Sequence, residues 1–525
     1  MTKHSTAYDG IFILLIAFIC HELFSRYGFN PTDEGFVLSA TNRVMHGQIP
    51  HVDFSSVRPL GYSYLHIPEL LFSKKHVFLI SRFVFWLEQV LIAFLWIQVI
   101  QKITKLGISR TNNYILVVIT LIFNVHYFPC SVLHTIDGLL LCLMGLNLVH
   151  SSKKYAAAGF FFIGFAALCK QNYLIMLPVT AALFGRKNAA VNLTIGLVPI
   201  IAYVSFITLN GGWDDLTIQL GSHHELWEAG VHPYSNSRLF YLSILAVWMV
   251  SFLNNRWLNI IYLSAVFAVC WYALSTFTYH EKYSFFVFGS MLGHAIFQLY
   301  KRKYKLMPVF IICSLLAWCV SISVGYNTPA LFLGGCLALW LYLLLVDSKE
   351  SSPVLNYSSC VLLLASFIIF YHTRTAIIYR DASLSMLTYR LDGIVEGASG
   401  IYTNKNTYAV LKELDSLKST NPDLIALPDF TACSILQSNT SAIKTEWPNR
   451  TEIPNKKILQ KVIHELEKDS SVILAIPKFN TAFLSIGLFK IDQGITGRYL
   501  FMDYVYANYI RFTSTAYFDL FRKKI

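Results

Sequence analysis

The chain has 525 residues, 55% of them hydrophobic and 15% aromatic, with a mean hydropathy of +0.50 and only 14% charged residues. Soluble domains carry roughly a quarter charged residues, so this composition excludes an ordinary soluble enzyme and reads as a polytopic α-helical membrane protein. The net charge of +12 does not point to nucleic acid, because before residue 373 the basic residues gather largely in short loops between apolar runs, where they set topology, and no nucleic-acid-reading motif is present.

Taken in order, the first apolar run, 11–29, lacks a small-residue cleavage site and reads as a retained signal-anchor helix. Hydropathy predicts about 13 spans, at 11–29, 77–100, 113–128, 137–150, 155–169, 173–185, 192–209, 238–254, 257–278, 283–300, 306–325, 328–346 and 354–372. Alternate loops carry Lys102, Lys105 and Arg110, then Lys153 and Lys154, Arg186 and Lys187, Arg256, and the KRKYK run at 301–305. Placing that basic set in the cytoplasm puts loop 30–76 and everything after residue 372 on the opposite face. The domain division is therefore 1–372, a membrane domain that includes loop 30–76, and 373–525, an extracytoplasmic part.

After residue 372 the apolar runs shrink to strand length. Helices are predicted over Thr407 to Ser416 and Asn455 to Lys468, and strands over Leu424 to Leu427, Ser471 to Ile476 and Ala482 to Ile491. Alternating helix and strand predicts a small α/β domain. Nine of the ten cysteines precede residue 373; Cys433 alone lies in this part, which excludes an internal disulfide there.

Loop 30–76 is too polar for lipid. It carries Asp33 and Glu34, Asp53, Arg43 and Arg58, and His46 and His51. Thr32 or Asp33 would cap a helix running to about Met45 and stopped at Gly47 and Pro50, and a second amphipathic piece is predicted from about Gly61 to Phe72; both could lie along the membrane surface. An acidic pair at the mouth of the first membrane helix suits a base that deprotonates a hydroxyl. A helix cap with a first-turn charge accounts for the same two residues equally well.

The run Asp33-Glu34-Gly35, then Arg43, Gly47, Pro50, Asp53 and Phe54, then RPLGYSYL at 58–65, resembles the GT-C glycosyltransferases, among them protein O-mannosyltransferases and lipid A aminoarabinose transferases. The resemblance implies a polyprenyl-phosphate-linked sugar donor, a hydroxyl-bearing glycan, lipid or protein acceptor, and inversion at the anomeric carbon. The family's acidic residue falls on Asp33, with Glu34 beside it. Asp137, in HTID at 134–137, matches a second acidic position that would orient the base or bind a divalent metal such as Mg or Mn; an N-cap is the plainer role for it. The stretch Gly164 to Gln171 places Lys170 and Gln171 at the outer face, with Lys170 set to meet the donor phosphate or else to snorkel. His280 and Lys282, at the outer end of a later span, are candidate phosphate ligands by the same resemblance, and Arg58, in RPLG, is a further candidate for phosphate or pyrophosphate. Arg58 pairing with Asp53, and a charged loop tip at 280–282, are their structural alternatives.

Loop 210–237 holds His223, His224, Glu225 and His232, a spacing that matches no regular zinc motif, and reads as a gating loop with Trp213 and Trp227. No Gly-rich nucleotide loop is present, which disfavours a nucleotide-sugar donor. A transporter or flippase, and a ligase moving a whole lipid-linked glycan, are the competing readings. Transporters usually place ionisable groups at the midplane, and in-span charges here are few: Glu22, Arg26, Arg82 and Glu88. A bacterial inner membrane, with the active face periplasmic, is the expected location.

Overall fold

A computed structural model describes residues 3–126, 128–185, 188–222, 225–253, 256–276, 282–321, 328–347, 353–428, 430–436, 443–445, 447–448, 452–469, 471–479 and 500–524. The N-terminal half runs α1 (Lys3–Phe24), α2 (Asp33–Met45), α3 (Gly61–Leu65), α4 (Ile67–Phe72), α5 (Val77–Thr104), α6 (Arg110–Val125), α7 (His134–Ser151) and α8 (Lys153–Cys169). Among the described residues five helices are long and apolar enough to cross a membrane: Ala7–Phe24, Val77–Thr104, Ala189–Leu209, Tyr304–Ser321 and Pro329–Val346. A sixth is added if Gly230–Asn236 and Arg238–Leu253, bent by 61°, form one span. Ile11, Leu14, Leu15 and Phe18 on α1, and Val198, Ile201 and Phe206 on the helix Ala189–Leu209, face outward, the apolar exterior that a bilayer requires. The protein is an integral membrane protein, and this count falls short of about 13. Of the other expected spans, Gln171–Phe184 is a shorter apolar helix, whereas Arg256–Thr276 and Pro353–Ala376 run 21 and 24 residues, with part of each outside the described side chains.

After residue 376 the chain forms a two-stranded ribbon, β1 (Tyr389–Arg390) with β2 (Tyr402–Thr403), and a four-stranded sheet of β3 (Leu424–Ala426), β4 (Ile473–Pro477), β5 (Tyr509–Ser514) and β6 (Phe518–Lys523). The sheet order is β3-β4-β6-β5; β3 and β4 pair parallel, and the other pairs are antiparallel. Helices Lys405–Thr420 and Lys456–Glu467 start where Asn404 and Asn455 accept backbone N–H groups as caps. The segment expected as a strand at 482–491 lies outside the described residues.

Loop 30–76 packs between the helical bundle and the C-terminal part, while Tyr64, Leu65, Leu71 and Phe72 of its second amphipathic piece stay exposed. Phe29, just before the loop, and the loop's Leu38 and Leu70 share one core with Val77 and Phe78 of α5 and with Leu391, Val410, Leu424, Phe430 and Phe518 of the C-terminal part. Phe36, Val37, Phe54 and Leu60 pack on the other side into the helical bundle. The loop is the middle layer between bundle and sheet, which is why polar positions such as Thr41, Asn42 and Arg43 are buried. Gly35 shows how tight that layer is: a Cβ there would run into the backbone of Thr431 and Ala432, and Ala432 N donates to Pro31 O at 2.7 Å.

Candidate functional site

The start of α2 is capped differently from the sequence expectation. Neither Thr32 nor Asp33 supplies the cap; Thr32 makes no side-chain cap hydrogen bond. Asn30 Oδ1 accepts from Thr32 N at 2.9 Å and Asp33 N at 3.4 Å, while Glu34 Oε1 accepts from Asn30 N at 3.1 Å. This reciprocal arrangement resembles a capping box and releases the Asp33 carboxylate for other partners. Gly47, at φ +81°, ends the layer's first turn of chain after α2 as anticipated.

Asp33 and Glu34 diverge. Glu34 is buried and takes a bidentate pair from Arg82 of α5, at 2.6 and 2.7 Å, and Arg82 also donates to the carbonyls of Ser25 and Gly28. Burial raises the Glu34 carboxyl and the Arg82 guanidinium opposes that rise. Asp33 stays 24% exposed. Its Oδ2 receives Tyr379 OH at 2.7 Å, Arg380 NH1 at 3.2 Å and Asn30 Nδ2 at 3.2 Å. Arg380 adopts φ +50°, a left-handed conformation that costs a non-glycine residue about 1–2 kcal/mol. The neighbouring Asp381 carboxylate secures that bend by accepting from Phe29 N, Ala382 N, Thr403 Oγ1 and Asn404 Nδ2.

One turn along α2 from Asp33, on the same face, Phe36 lies under the Arg58 guanidinium at 5.2 Å and against the His134 ring at 6.2 Å. Arg58 pairs with Glu452 of the C-terminal part rather than with Asp53; Asp53 instead accepts Ile49 N at 2.6 Å and caps a turn. Lys170 occupies the break between α8 and the following 3-10 turn, in extended backbone. It is buried, close enough to Arg58 and His134 for their charges to interact, and its Nζ has no hydrogen-bond partner among the described residues. Burial, with Arg58 adding to it, lowers the Lys170 ammonium to about 7. Gln171 Nε2 donates to Val57 O at 3.2 Å, holding the Arg58 segment against Lys170. Gly61 of the RPLG turn is needed here as well, since a Cβ would meet Leu168 of α8.

Asp137 sits in the first turn of α7 beside a different group. Its Oδ1 is 3.3 Å from His66 Nε2, and His66 Nδ1 is 2.6 Å from Glu69 Oε1. Burial pulls the His66 imidazolium down, but Asp137 and Glu69 outweigh it and hold this group well above its ordinary range. His280 lies outside the described residues, as do the side chain of Lys282 and the histidines His223 and His224.

No family model matches the chain, and no curated protein matches it. Two solved structures do. The Archaeoglobus fulgidus oligosaccharyltransferase, solved with Zn and sulfate, is 12% identical over 89% of this chain and 68% of its own, with a TM-score of 0.49. Arabinosyltransferase EmbB from Mycobacterium smegmatis is 15% identical over 70% of this chain and 40% of its own, with a TM-score of 0.30. At these scores neither likeness carries an argument, and the chemistry has to be argued from the residues above.

The arrangement brings Arg58, Lys170 and Gln171 together beside Phe36, three residues along α2 from Asp33, while Glu34, Asp53 and Asp137 take other partners. Tyr379, Arg380 and His134 join the site without having been singled out. A Tyr-Arg pair just past the last apolar run was the available signal for the first two, and the HTID stretch already contained the third.

Proposed function

We propose that this chain is a membrane glycosyltransferase that moves a sugar from a polyprenyl-phosphate-linked donor to a hydroxyl acceptor at the outer, periplasmic face of a bacterial inner membrane. The observation that carries the reading is the pairing, one helical turn apart on α2, of a partly exposed carboxylate with a buried cationic pocket. Lys170, Arg58 and His134 would take the donor phosphate, for which a buried ammonium without a partner is a strong ligand. The phosphate is already a good leaving group, so the protein has mainly to remove the acceptor proton and steady the phosphate charge.

Among the described residues, the hydrogen bonds from Asn30 and Tyr379 and the ion pair with Arg380 all reach Asp33 Oδ2. They fix the carboxylate while Oδ1 is directed to the acceptor hydroxyl as general base. The attack is a single displacement, and the anomeric configuration inverts. Glu34 and Asp381 act at one remove, holding α2 and the Arg380 bend. Gln171 positions the Arg58 segment, and the charge of Lys282 and the His280 ring stand as further phosphate ligands.

The test is incubation of the purified full chain with a panel of lipid-phosphate sugars and candidate acceptors, followed by mass spectrometry. A gain of one sugar on an acceptor is expected. A polymer-sized gain would make the protein an en bloc ligase, and uptake into proteoliposomes with no acceptor gain would make it a transporter.

A further inference from the structure

Away from Asp33, four ionisable side chains from separate parts of the chain converge. They are His66 at the break between α3 and α4, Glu69 in α4, Glu88 in α5 and Asp137 in α7. Their relative exposures are 1%, 2%, 8% and 1%. One nitrogen or oxygen from each of His66, Glu88 and Asp137 lies within 4.8 Å of the others. Glu88 Oε2 and Asp137 Oδ2 have no hydrogen-bond partner among the described residues.

The charge balance of this cluster is unfavourable as it stands. Three carboxylates face one imidazole, and a buried ion without compensation costs several kcal/mol. Glu88 is eleven residues into a helix long enough to cross a membrane, roughly 16 Å from its start, where an ionisable group marks a functional site.

The geometry points to a divalent cation. With Nδ1 of His66 donating to Glu69, Nε2 faces Asp137, and a cation bound there would take the place of the Nε2 proton, the orientation that a second-shell carboxylate imposes on a metal-binding histidine. Metal–ligand bonds of about 2.0–2.1 Å in a tetrahedron give ligand–ligand edges of about 3.3 Å, which is the separation of His66 Nε2 and Asp137 Oδ1. One imidazole with two carboxylates suits zinc, or manganese, rather than calcium or magnesium, which favour all-oxygen shells.

We propose that His66, Glu88 and Asp137 bind one zinc-class divalent cation, with Glu69 as the positioning residue for His66 and a coordination position left open. The ion ties α4, α5 and α7 together. His134, one turn before Asp137, faces Arg58 and Lys170, so the ion also fixes the wall of the cationic pocket. This site stands whether or not the chain transfers a sugar.

The test uses full-length protein purified in detergent without chelator. Elemental analysis is expected to find stoichiometric zinc. After stripping with a chelator, Zn²⁺ or Mn²⁺ should raise the unfolding midpoint by several degrees and Mg²⁺ should not. Glu88→Gln and His66→Ala should lose both the ion and the response. X-ray absorption of the zinc-loaded wild type should show a nitrogen and oxygen shell with imidazole scattering and no sulfur, and that spectrum decides the matter if the variants do not fold. Absence of stoichiometric metal together with an unmoved midpoint would mean that a proton shared by Glu88 and Asp137 balances the cluster instead. Retention of the ion by Glu88→Gln, or a sulfur-containing shell, would place it elsewhere. Each of these results overturns the proposal.

Discussion

Lys170 makes the sharpest demand on this account, because the same burial that readies it for an anion destabilises the fold. Its ammonium is lowered from 10.5 to about 7 by burial. A lysine whose folded value is depressed is penalised wherever the unfolded chain binds more protons. The penalty is fully present below pH 7 and fades as pH rises toward the unfolded value. It amounts to roughly 4 kcal/mol at pH 7 and roughly 2 kcal/mol at pH 9. Lys170→Met keeps the aliphatic stem and removes the charge. The variant should therefore unfold at a higher temperature than wild type at pH 7, by an amount that shrinks by about half at pH 9, when both are followed by intrinsic fluorescence in one detergent. The same change should weaken binding of a lipid-phosphate sugar by about 10- to 150-fold, the worth of a charge-assisted hydrogen bond of roughly 1.5–3 kcal/mol. A Met variant that is less stable than wild type, or that binds the donor equally well, would refute the reasoning about this pocket.

Three further outcomes follow from the same contacts. Arg82→Met leaves the buried Glu34 carboxylate without its partner and should cost about 3–5 kcal/mol, seen as lost folded yield that the pair Arg82→Met with Glu34→Gln partly restores. Gly35→Ala pushes α2 against the Thr431–Ala432 backbone and should destabilise the protein by about 1–3 kcal/mol, with faster limited proteolysis in the C-terminal part. Donor affinity in wild type should fall as pH rises above about 7, since Lys170 loses its proton there, and Lys170→Arg should remove that pH dependence in a binding titration.

Loop 30–76 announced itself because a run with so many ionisable groups cannot enter lipid, and its helix ended at Met45 for the reason Gly47 suggests. What covers that helix was not readable. The chain that forces a glycine at position 35 lies at Thr431 and Ala432, and nothing local to DEG reports it. Asp33 and Glu34 look equivalent as neighbours in sequence; only Arg82, brought up by α5, separates a buried ion pair from a partly exposed carboxylate. Arg58 was anticipated as an anion ligand, but its Glu452 partner lies 394 residues away. Among the described residues fewer helices meet the length and apolarity of a span than hydropathy predicts, and the stretch Gln171–Phe184 shows one reason: its apolar run is broken into a 3-10 turn and a helix of 9 residues, which hydropathy alone does not register. The cluster of His66, Glu69, Glu88 and Asp137 has no motif at all, since its members come from a loop break, a short helix and two long ones.

The central claim is that Asp33 takes the acceptor's proton. Asp33→Asn preserves the shape and the hydrogen-bonding oxygen but not the base. In a single-turnover assay with whichever lipid-phosphate sugar the wild type accepts, the account predicts that this variant binds donor with unchanged affinity and transfers sugar about 10²- to 10⁴-fold more slowly. Transfer at the wild-type rate by a folded Asp33→Asn protein would contradict it.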